Sequence, residues 1–490
     1  MNNYLSRLKK DSIVYAIAII IPALLGIVSL PLYTRIFSTQ QFGQYNLVLT
    51  TTLLITTLFS QWIQQSIQRY RPTYKKNDNL PMFNANLTVL LISMLFFITI
   101  LGIVLEHFKS LLGIYSTYYN ASILLIITQF LFLTLSAQLQ SDFKVKQYKN
   151  FNLWNAILKI SLAISLIYFF KNHPISILYG LVISQLLLLT PMLKETKILR
   201  GDFKSLNFSV FFSFLKQFFF YGFPMIGWFL GNTVLNLSDR YMLAFLGSSR
   251  DVGIYSANYS IVSAGLGLLT TPLLSAAHPI IMNMPYTEKS EKREIENTIS
   301  FFSNLYMMLS VPLVFFVTAF HREIAIFLLG EEFRSGSTII PILFIGTLFW
   351  NLAMFGHKGY EITEKTRTML LFVFIAAVVN IILNLLLIPS SGYRGASLAT
   401  MVSMMLYPLL IFIFSKKGIK WKINYSSACK IIGCSIASIL FITLLKSYLV
   451  INIIFLRIAI NGIVYVALYL YLLIITKELE TKKIKMFLKK

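Results

Sequence analysis

Residues 368–389 read TMLLFVFIAAVVNIILNLLLIP, a run without one charged side chain, preceded by Lys365 and Arg367 and followed by Arg394. About 20 apolar residues carry an α-helix across the hydrocarbon core of a bilayer. Inside lipid every backbone N–H and C=O needs a partner within the segment, so a run of this length is a helix. Barrel strands are about half as long and alternate polar with apolar residues, which these do not. Working outward, thirteen further stretches of this kind occupy 12–34, 42–66, 85–105, 118–140, 151–170, 174–193, 217–238, 252–277, 298–319, 337–356, 394–415, 428–449 and 454–476. The chain is therefore expected to be an all-α polytopic membrane protein of about fourteen transmembrane helices. Its composition agrees: 56% of the 490 residues are hydrophobic and only 13% charged. A soluble enzyme, a disordered chain and a secreted disulfide scaffold are excluded.

The basic residues test the span count. With the N-terminus on the cytoplasmic side, 32 of the 43 Lys and Arg fall in inside segments, 10 fall outside, and Lys159 lies within a span. That asymmetry is the positive-inside pattern, and a missed helix would have inverted every later loop. The net charge of +24 is thus topological, in part a contact with anionic membrane lipids, and nucleic acid is not an expected partner. Both termini are placed in the cytoplasm. The first apolar run is too long for a signal-peptide core and is read as an uncleaved first helix. Cys429 and Cys434 share one span and form neither a disulfide framework nor a metal site.

The largest loops, around 194–216 and 285–297, are basic or mixed in charge and leave no room for a soluble domain. Gly43-Gln44-Tyr45 opens the second span and Gly253-Ile254-Tyr255 the eighth, 210 residues later. Six spans separate them, an even number, so the two halves share one orientation as parallel repeats about an axis normal to the membrane. The alternative is that Gly-x-Tyr merely suits a helix start at the interface. The expected organisation is an N-terminal lobe over 1–200 with helices one to six and a C-terminal lobe over 201–422 with helices seven to twelve. Residues 423–490 add two helices and a basic tail. The two lobes are expected to be pseudo-twofold related around a central cavity.

Four junctions carry a family resemblance. Pro31-Leu32-Tyr33-Thr34-Arg35-Ile36-Phe37 with Phe42-Gly43-Gln44-Tyr45 resembles the opening signature of the bacterial polysaccharide-biosynthesis, O-antigen-flippase-like branch of the multidrug/oligosaccharidyl-lipid/polysaccharide exporter superfamily. Asp239-Arg240-Tyr241-Met242-Leu243 with Val252-Gly253-Ile254-Tyr255 is similar to its seventh-to-eighth junction. Asn380-x3-Asn384, Leu387-Ile388-Pro389, Gly392-Tyr393-Arg394-Gly395-Ala396 and Ala399-Thr400 resemble its eleventh-to-twelfth, and Gly356 to Arg367 the inside loop before that. The resemblance implies a flippase in the bacterial cytoplasmic membrane. It would move undecaprenyl-diphosphate-linked oligosaccharide units from the cytoplasmic to the outer leaflet, for O-antigen, capsule or other surface polysaccharide, beside a polysaccharide polymerase and chain-length machinery. No cofactor is implied.

A lipid-linked oligosaccharide asks for a wet, polar, cationic cavity at mid-depth, and a few residues inside the spans have the chemistry for it. Lys159 lies about nine residues, roughly 13 Å, inside its span, and Asn152, Asn155 and Lys159 share one helical face. They either line the cavity, since an intramembrane charge faces a cavity or a partner, or Lys159 snorkels beside asparagines that pack helices. Asn232, Asn236 and Arg240 form a second stripe: the opposite polar wall, or interhelical glue with Asp239 and Arg240 at the outer interface. Arg35, the counterpart of Arg240, is an outer gate or an interfacial anchor. Gln61 and Gln65, with Gln64 and Gln68, meet entering sugars or bond to neighbouring helices. Asn380 and Asn384 are read as helix packing, His278 as interfacial, and Lys358, Glu361, Glu364 and Lys365 as a solvated inside cluster.

No metal-spaced His/Cys cluster and no Walker loop occurs, so this chain does not hydrolyse ATP. Two other readings were weighed. A membrane polysaccharide polymerase or ligase would present a large outside loop with catalytic Arg or His, whereas His321, Arg322 and Arg334 are the only such cluster. A drug/cation antiporter of the same architecture would need a buried titratable acid, and the sequence offers none at mid-span.

Overall fold

The computed structural model describes residues 20–170, 172–282, 284–285, 289–415, 418–446 and 452–478. The basic start of the chain, the first part of the first expected span and the C-terminal tail lie outside them. Among the described residues the chain is helical, with no strand. In order come α1 (Ile20–Ile36), α2 (Thr39–Lys76), α3 (Leu80–Glu106), α4 (Tyr115–Ser141), α5 (Val145–Phe169), α6 (Ile175–Thr196) and α7 (Phe208–Leu246). Then follow α8 (Ser249–Met282), α9 (Lys289–Leu328), α10 (Ile339–Gly356), the short α11 (Lys358–Ile362), α12 (Thr366–Ser415), α13 (Tyr425–Lys446) and α14 (Ile454–Ile475).

Each of the fourteen expected spans falls on one of these helices, and two of them share α12. Eleven of the described helices are long and apolar enough to cross a membrane, and the protein is a multi-pass membrane protein. Within α12, Gly392 sits at φ +52°, a left-handed conformation that glycine takes without steric cost. Asn380 and Thr400 would stand about 30 Å apart on one straight helix. Both touch the carboxylate of Asp239, so the chain folds back at this glycine. Two expected loops are shorter than read: α7 already begins at Phe208 and α9 at Lys289.

The chain divides into two compact units. Of the described residues, those within 20–29 and 36–237 form the first, and those within 30–35 and 238–478 form the second.

In the first unit an apolar core joins α2, α3, α4, α6 and the start of α7, with Ile63, Phe83, Phe130, Leu135, Met192 and Phe218 all but fully buried. Ser66 donates to the Phe218 carbonyl at 2.8 Å, and a Cβ on Gly222 would lie 2.2 Å from the Trp62 carbonyl oxygen. One end is clamped by Arg71, 1% exposed. Its Nε and Nη2 donate to the two oxygens of Asp142 at 3.0 and 2.9 Å, and its Nη1 donates to Asn84 Oδ1 at 2.8 Å. A bidentate guanidinium–carboxylate pair satisfies both charges at once, which is what allows them to be buried.

In the second unit α8, α9, α10 and α12 pack around Tyr255, Val262, Phe344, Val373 and Tyr407, all fully buried. The hairpin of α13 and α14 is pinned to α9, where Tyr465 and Tyr469 donate to the carbonyls of Pro312 and Met308 at 3.0 and 2.8 Å. The last residues of α1 belong to this unit as well. Gly330 N–H donates to Thr34 Oγ1 at 3.0 Å, and Arg35, exposed, donates to the Phe327 carbonyl at 3.1 Å. A Cβ on Gly330 would fall 1.9 Å from the Thr34 carbonyl oxygen, so only glycine fits.

The helix starts repeat at the spacing of the Gly-x-Tyr elements. Ser38 accepts from Gln41 N–H while the Gln41 side chain accepts from Ser38 N–H, a complete capping box on α2. At 210 residues further, Ser248 Oγ accepts from Asp251 N–H at 3.2 Å and donates to the Asp251 carboxylate at 2.7 Å, at the start of α8. Tyr45 and Tyr255, nearly two turns inside each, are both buried. Side chains that satisfy the free N–H groups of a first turn fix where a helix begins.

Candidate functional site

The second unit holds a polar cluster centred on Asp239, a carboxylate 1% exposed. Its Oδ1 accepts from Asn384 Nδ2 at 2.8 Å and from Asn380 Nδ2 at 3.2 Å. Its Oδ2 accepts from Thr400 Oγ1 at 2.5 Å and from the Tyr255 hydroxyl at 2.6 Å. Ser238 donates to Asn380 Oδ1 at 2.6 Å. One carboxylate on α7 thus ties together α8 and both arms of α12. Among the described residues Asn384 Oδ1 is buried without a hydrogen-bond donor. Four N–H and O–H donors converge on one carboxylate, an arrangement that stabilises its negative charge away from water.

The sequence offers no acid at mid-span; Asp239 is a buried acid near the C-terminal end of α7. Asp239 and Arg240, read as a polar wall or as outer-interface residues, are both packed within the protein. The span read as ending at residue 238 continues as α7 to Leu246, which draws both into the packed interior. Arg240, 8% exposed, donates from Nε to Ser256 Oγ at 3.2 Å and lies over the Tyr259 ring at 5.2 Å. The side chains of Asn232 and Asn236 lie outside the described residues. Asn380 and Asn384 do join helices, and they do so through Asp239.

The first unit holds a polar layer across α4, α5 and α6. Asn155 Oδ1 accepts from Ser184 Oγ at 2.9 Å. Thr128 donates to Gln185 Oε1 at 2.8 Å, and Gln185 in turn donates to Gln129. One turn along, a Cβ on Gly180 would fall 2.9 Å from the Lys159 carbonyl oxygen and 2.8 Å from Ala163 N, so α5 and α6 touch backbone to backbone at Lys159. With α5 starting at Val145, Lys159 stands fourteen residues, about 21 Å, along its helix, nine of them counted from the expected span start at 151. It is half-buried and makes no hydrogen bond or ion pair among the described residues. Asn152 turns back to the Tyr148 carbonyl at 2.9 Å. Of the glutamines on α2, Gln64 donates to Ser60 at 2.9 Å and Gln68 to Gln140 at 2.9 Å. Gln61 and Gln65 are half-buried with no polar partner among the described residues.

The sequence gives no site reading for Thr128, Gln129 or Gln185, and marks Tyr255 and Thr400 only as parts of the junction motifs. Gln129 and Gln185 were nonetheless visible as amides near the middle of apolar spans. Of the inside cluster expected to be solvated, Glu364 and Lys365 are exposed, but Lys358 is only 7% exposed and packs with Glu361 beside the buried His357. Glu361 accepts from Lys358 Nζ at 2.7 and 2.8 Å and pairs with His357 Nε2 at 3.0 Å, while His278 Nδ1 stands 3.0 Å from Lys358 Nζ. The short α11 holds this cluster beneath α8 and α10, where a loop would have left it in water.

Several known proteins share these features. The family described as polysaccharide biosynthesis protein matches residues 8–284. Agl15, a probable low-salt glycan biosynthesis flippase of Haloferax volcanii, is 23% identical over 214 residues, covering 43% of this chain and 45% of that protein. The match therefore spans less than half the length of this relative. Among solved structures, lipid II flippase MurJ in an inward closed conformation superposes with a TM-score of 0.78 at 17% identity, over 95% of this chain and 99% of that one. An inward-facing multidrug resistance MATE family transporter of the MOP superfamily gives 0.60 at 12% identity, over 82% and 94%. At these identities the likeness is one of fold.

Proposed function

The chain belongs to the polysaccharide biosynthesis protein family, and from that premise we propose that it is a flippase for undecaprenyl-diphosphate-linked oligosaccharide units. It carries them from the cytoplasmic to the outer leaflet of a bacterial cytoplasmic membrane by alternating access, for O-antigen, capsule or another surface polysaccharide. It is not an enzyme. The working parts are an N-terminal lobe over 1–200, a C-terminal lobe over 201–422 and an appendage over 423–490. Anionic lipids surround it, and a polymerase with chain-length machinery receives the product.

The observation that carries this reading is Lys159, a half-buried cation deep in an apolar helix without a polar partner among the described residues. An unpaired charge inside the membrane is costly unless it meets water or an anion, and the diphosphate of the cargo is such an anion. The polar layer of Asn155, Ser184, Gln185 and Gln129 beside it suits sugar hydroxyls. Asn152, Gln61, Gln65, Arg35, Arg240, Asn232 and Asn236 complete the proposed path. Asp239 is the proposed seat of the coupling cation, held by its own oxygens with those of Asn384 and Thr400. In deletion cells, lipid-linked units accumulate on the cytoplasmic leaflet. Completed units outside that stay unpolymerised would instead support a polymerase or ligase.

Asp239 also lends support to a second reading, a drug/cation antiporter of the same superfamily, because such a carrier needs a buried acid. Lipid-linked units in deletion cells decide between them: only the flippase leaves units on the cytoplasmic leaflet.

A further inference from the structure

The segment joining α12 to α13 borders a cavity of about 320 Å³ lined by Phe412, Lys420, Trp421, Lys422 and Tyr425 among others. Its frame is built. Trp421 is 4% exposed; its indole N–H donates to Ser303 Oγ at 3.1 Å and its backbone N–H to Ser415 Oγ at 3.2 Å. A Cβ on Gly356 would fall 2.4 Å from the indole, so the ring lies flush on α10. The buried carboxylate of Glu296 accepts from Lys420 N–H at 3.0 Å and pairs with Lys422 Nζ at 2.8 Å. That acid neutralises Lys422. The exposed Lys420 ammonium has no hydrogen bond or ion pair among the described residues.

The cavity opens beside apolar surface. Leu409, Ile413 and Phe414 are 52%, 46% and 46% exposed on α12, and Tyr425 is 65% exposed at the start of α13. In a multi-pass protein such a surface meets acyl chains, and a tyrosine beside it marks headgroup level. Lys416, Lys417, Lys420 and Lys422 fall within seven residues of sequence, on the side of the membrane that carries most of the Lys and Arg.

From this geometry we propose that the cavity is a binding site for the phosphate of an anionic phospholipid, with Lys420 as its cation and Phe412 and Tyr425 as its walls. The lipid fills the wedge between α12, the 418–424 segment and α13, and thereby fastens the C-terminal hairpin. A basic residue at the bilayer surface attracts an anionic headgroup, and the cavity has the size of a small-ligand site. The proposal does not depend on what the protein carries.

The test uses the full chain in detergent, titrated with phosphatidylglycerol or phosphatidylcholine in mixed micelles, or with inorganic phosphate. Retained lipid is counted by native mass spectrometry and the unfolding midpoint is followed. Phosphatidylglycerol is expected to be retained and to raise the midpoint. Lys420→Gln is expected to weaken it about fivefold, with the midpoint in phosphatidylcholine unchanged because Lys420 is exposed. Lys365→Gln, an exposed lysine on the same side, is expected to leave it unaltered. Equal weakening by both variants, or none by Lys420→Gln, overturns the site. Equal protection by inorganic phosphate overturns its assignment to lipid.

Discussion

Asn384 donates its amide to the Asp239 carboxylate at 2.8 Å, across 145 positions of sequence. This contact closes α12 back onto α7, and three further donors converge on the same two oxygens. Removing the acceptor leaves buried donors without partners, whereas removing one donor leaves the carboxylate three others. Asp239→Ala is therefore expected to cost roughly 3 kcal/mol and Tyr255→Phe about 1 kcal/mol. Unfolding midpoints in one detergent check this, and equal effects would refute a shared acceptor.

Gly330 and Gly26 make an internal contrast. A methyl at Gly330 strikes the Thr34 carbonyl, whereas one at Gly26 meets nothing within 4 Å. Gly330→Ala is expected to destabilise by about 1–3 kcal/mol through overpacking, and Gly26→Ala to be neutral or stabilising by up to about 1 kcal/mol through helix propensity. Opposite signs in thermal unfolding are the outcome that counts.

Arg71 is the buried cation of the first unit, and its fork matches Asp142 and Asn84 together. A lysine offers one point charge where three donors stood. Arg71→Ala is expected to lose about 3–5 kcal/mol and Arg71→Lys to recover only part of it, measured as the yield of folded protein after mild heating. Full recovery by lysine would reduce the clamp to charge alone.

His173, in the turn between α5 and α6, accepts from Ile175 N–H at 3.2 Å, and its ring lies tilted against Tyr118, 5.3 Å between centroids. Burial pushes its pKa below the ordinary histidine value. The folded chain therefore holds this ring neutral, and the unfolded chain protonates first. Stability is whole above the ordinary value and falls as pH drops through it. His173→Phe is expected to flatten the acid limb of the unfolding midpoint; an unchanged limb would place the titration elsewhere.

The membrane imposes span length and charge asymmetry on composition, so the helical spans and the two Gly-x-Tyr helix starts could be read from residues alone. Depth could not. Helix ends run past the apolar stretch: α5 begins six residues before the expected 151 and α7 ends eight after the expected 238. Asp239, expected at a span boundary, therefore lies within α7, where α8 and both arms of α12 enclose its carboxylate. The Asp239 cluster was hidden for a further reason. Its donors come from residues 255, 380, 384 and 400, and only the reversal at Gly392 brings the last of them beside the others. Lys358 and Glu361 look solvated in sequence because a short helix such as α11 leaves no periodic trace in so few residues.

Lys159 and Asp239 separate binding from coupling. If Lys159 is the cation that meets the diphosphate, Lys159→Ala lowers flipping under every ion gradient, because the anion loses its partner at mid-depth. Lys159→Arg keeps the charge and is expected to restore part of it. Asp239→Asn retains the shape of the cluster but not its charge, so it is expected to abolish the response to an imposed proton or sodium gradient and spare cargo binding. Leaflet-resolved labelling of lipid-linked units in vesicles, with membrane insertion verified for each variant, measures both. Wild-type flipping by Lys159→Ala would exclude that lysine as the cation for the cargo, and a gradient response retained by Asp239→Asn would exclude that carboxylate from coupling.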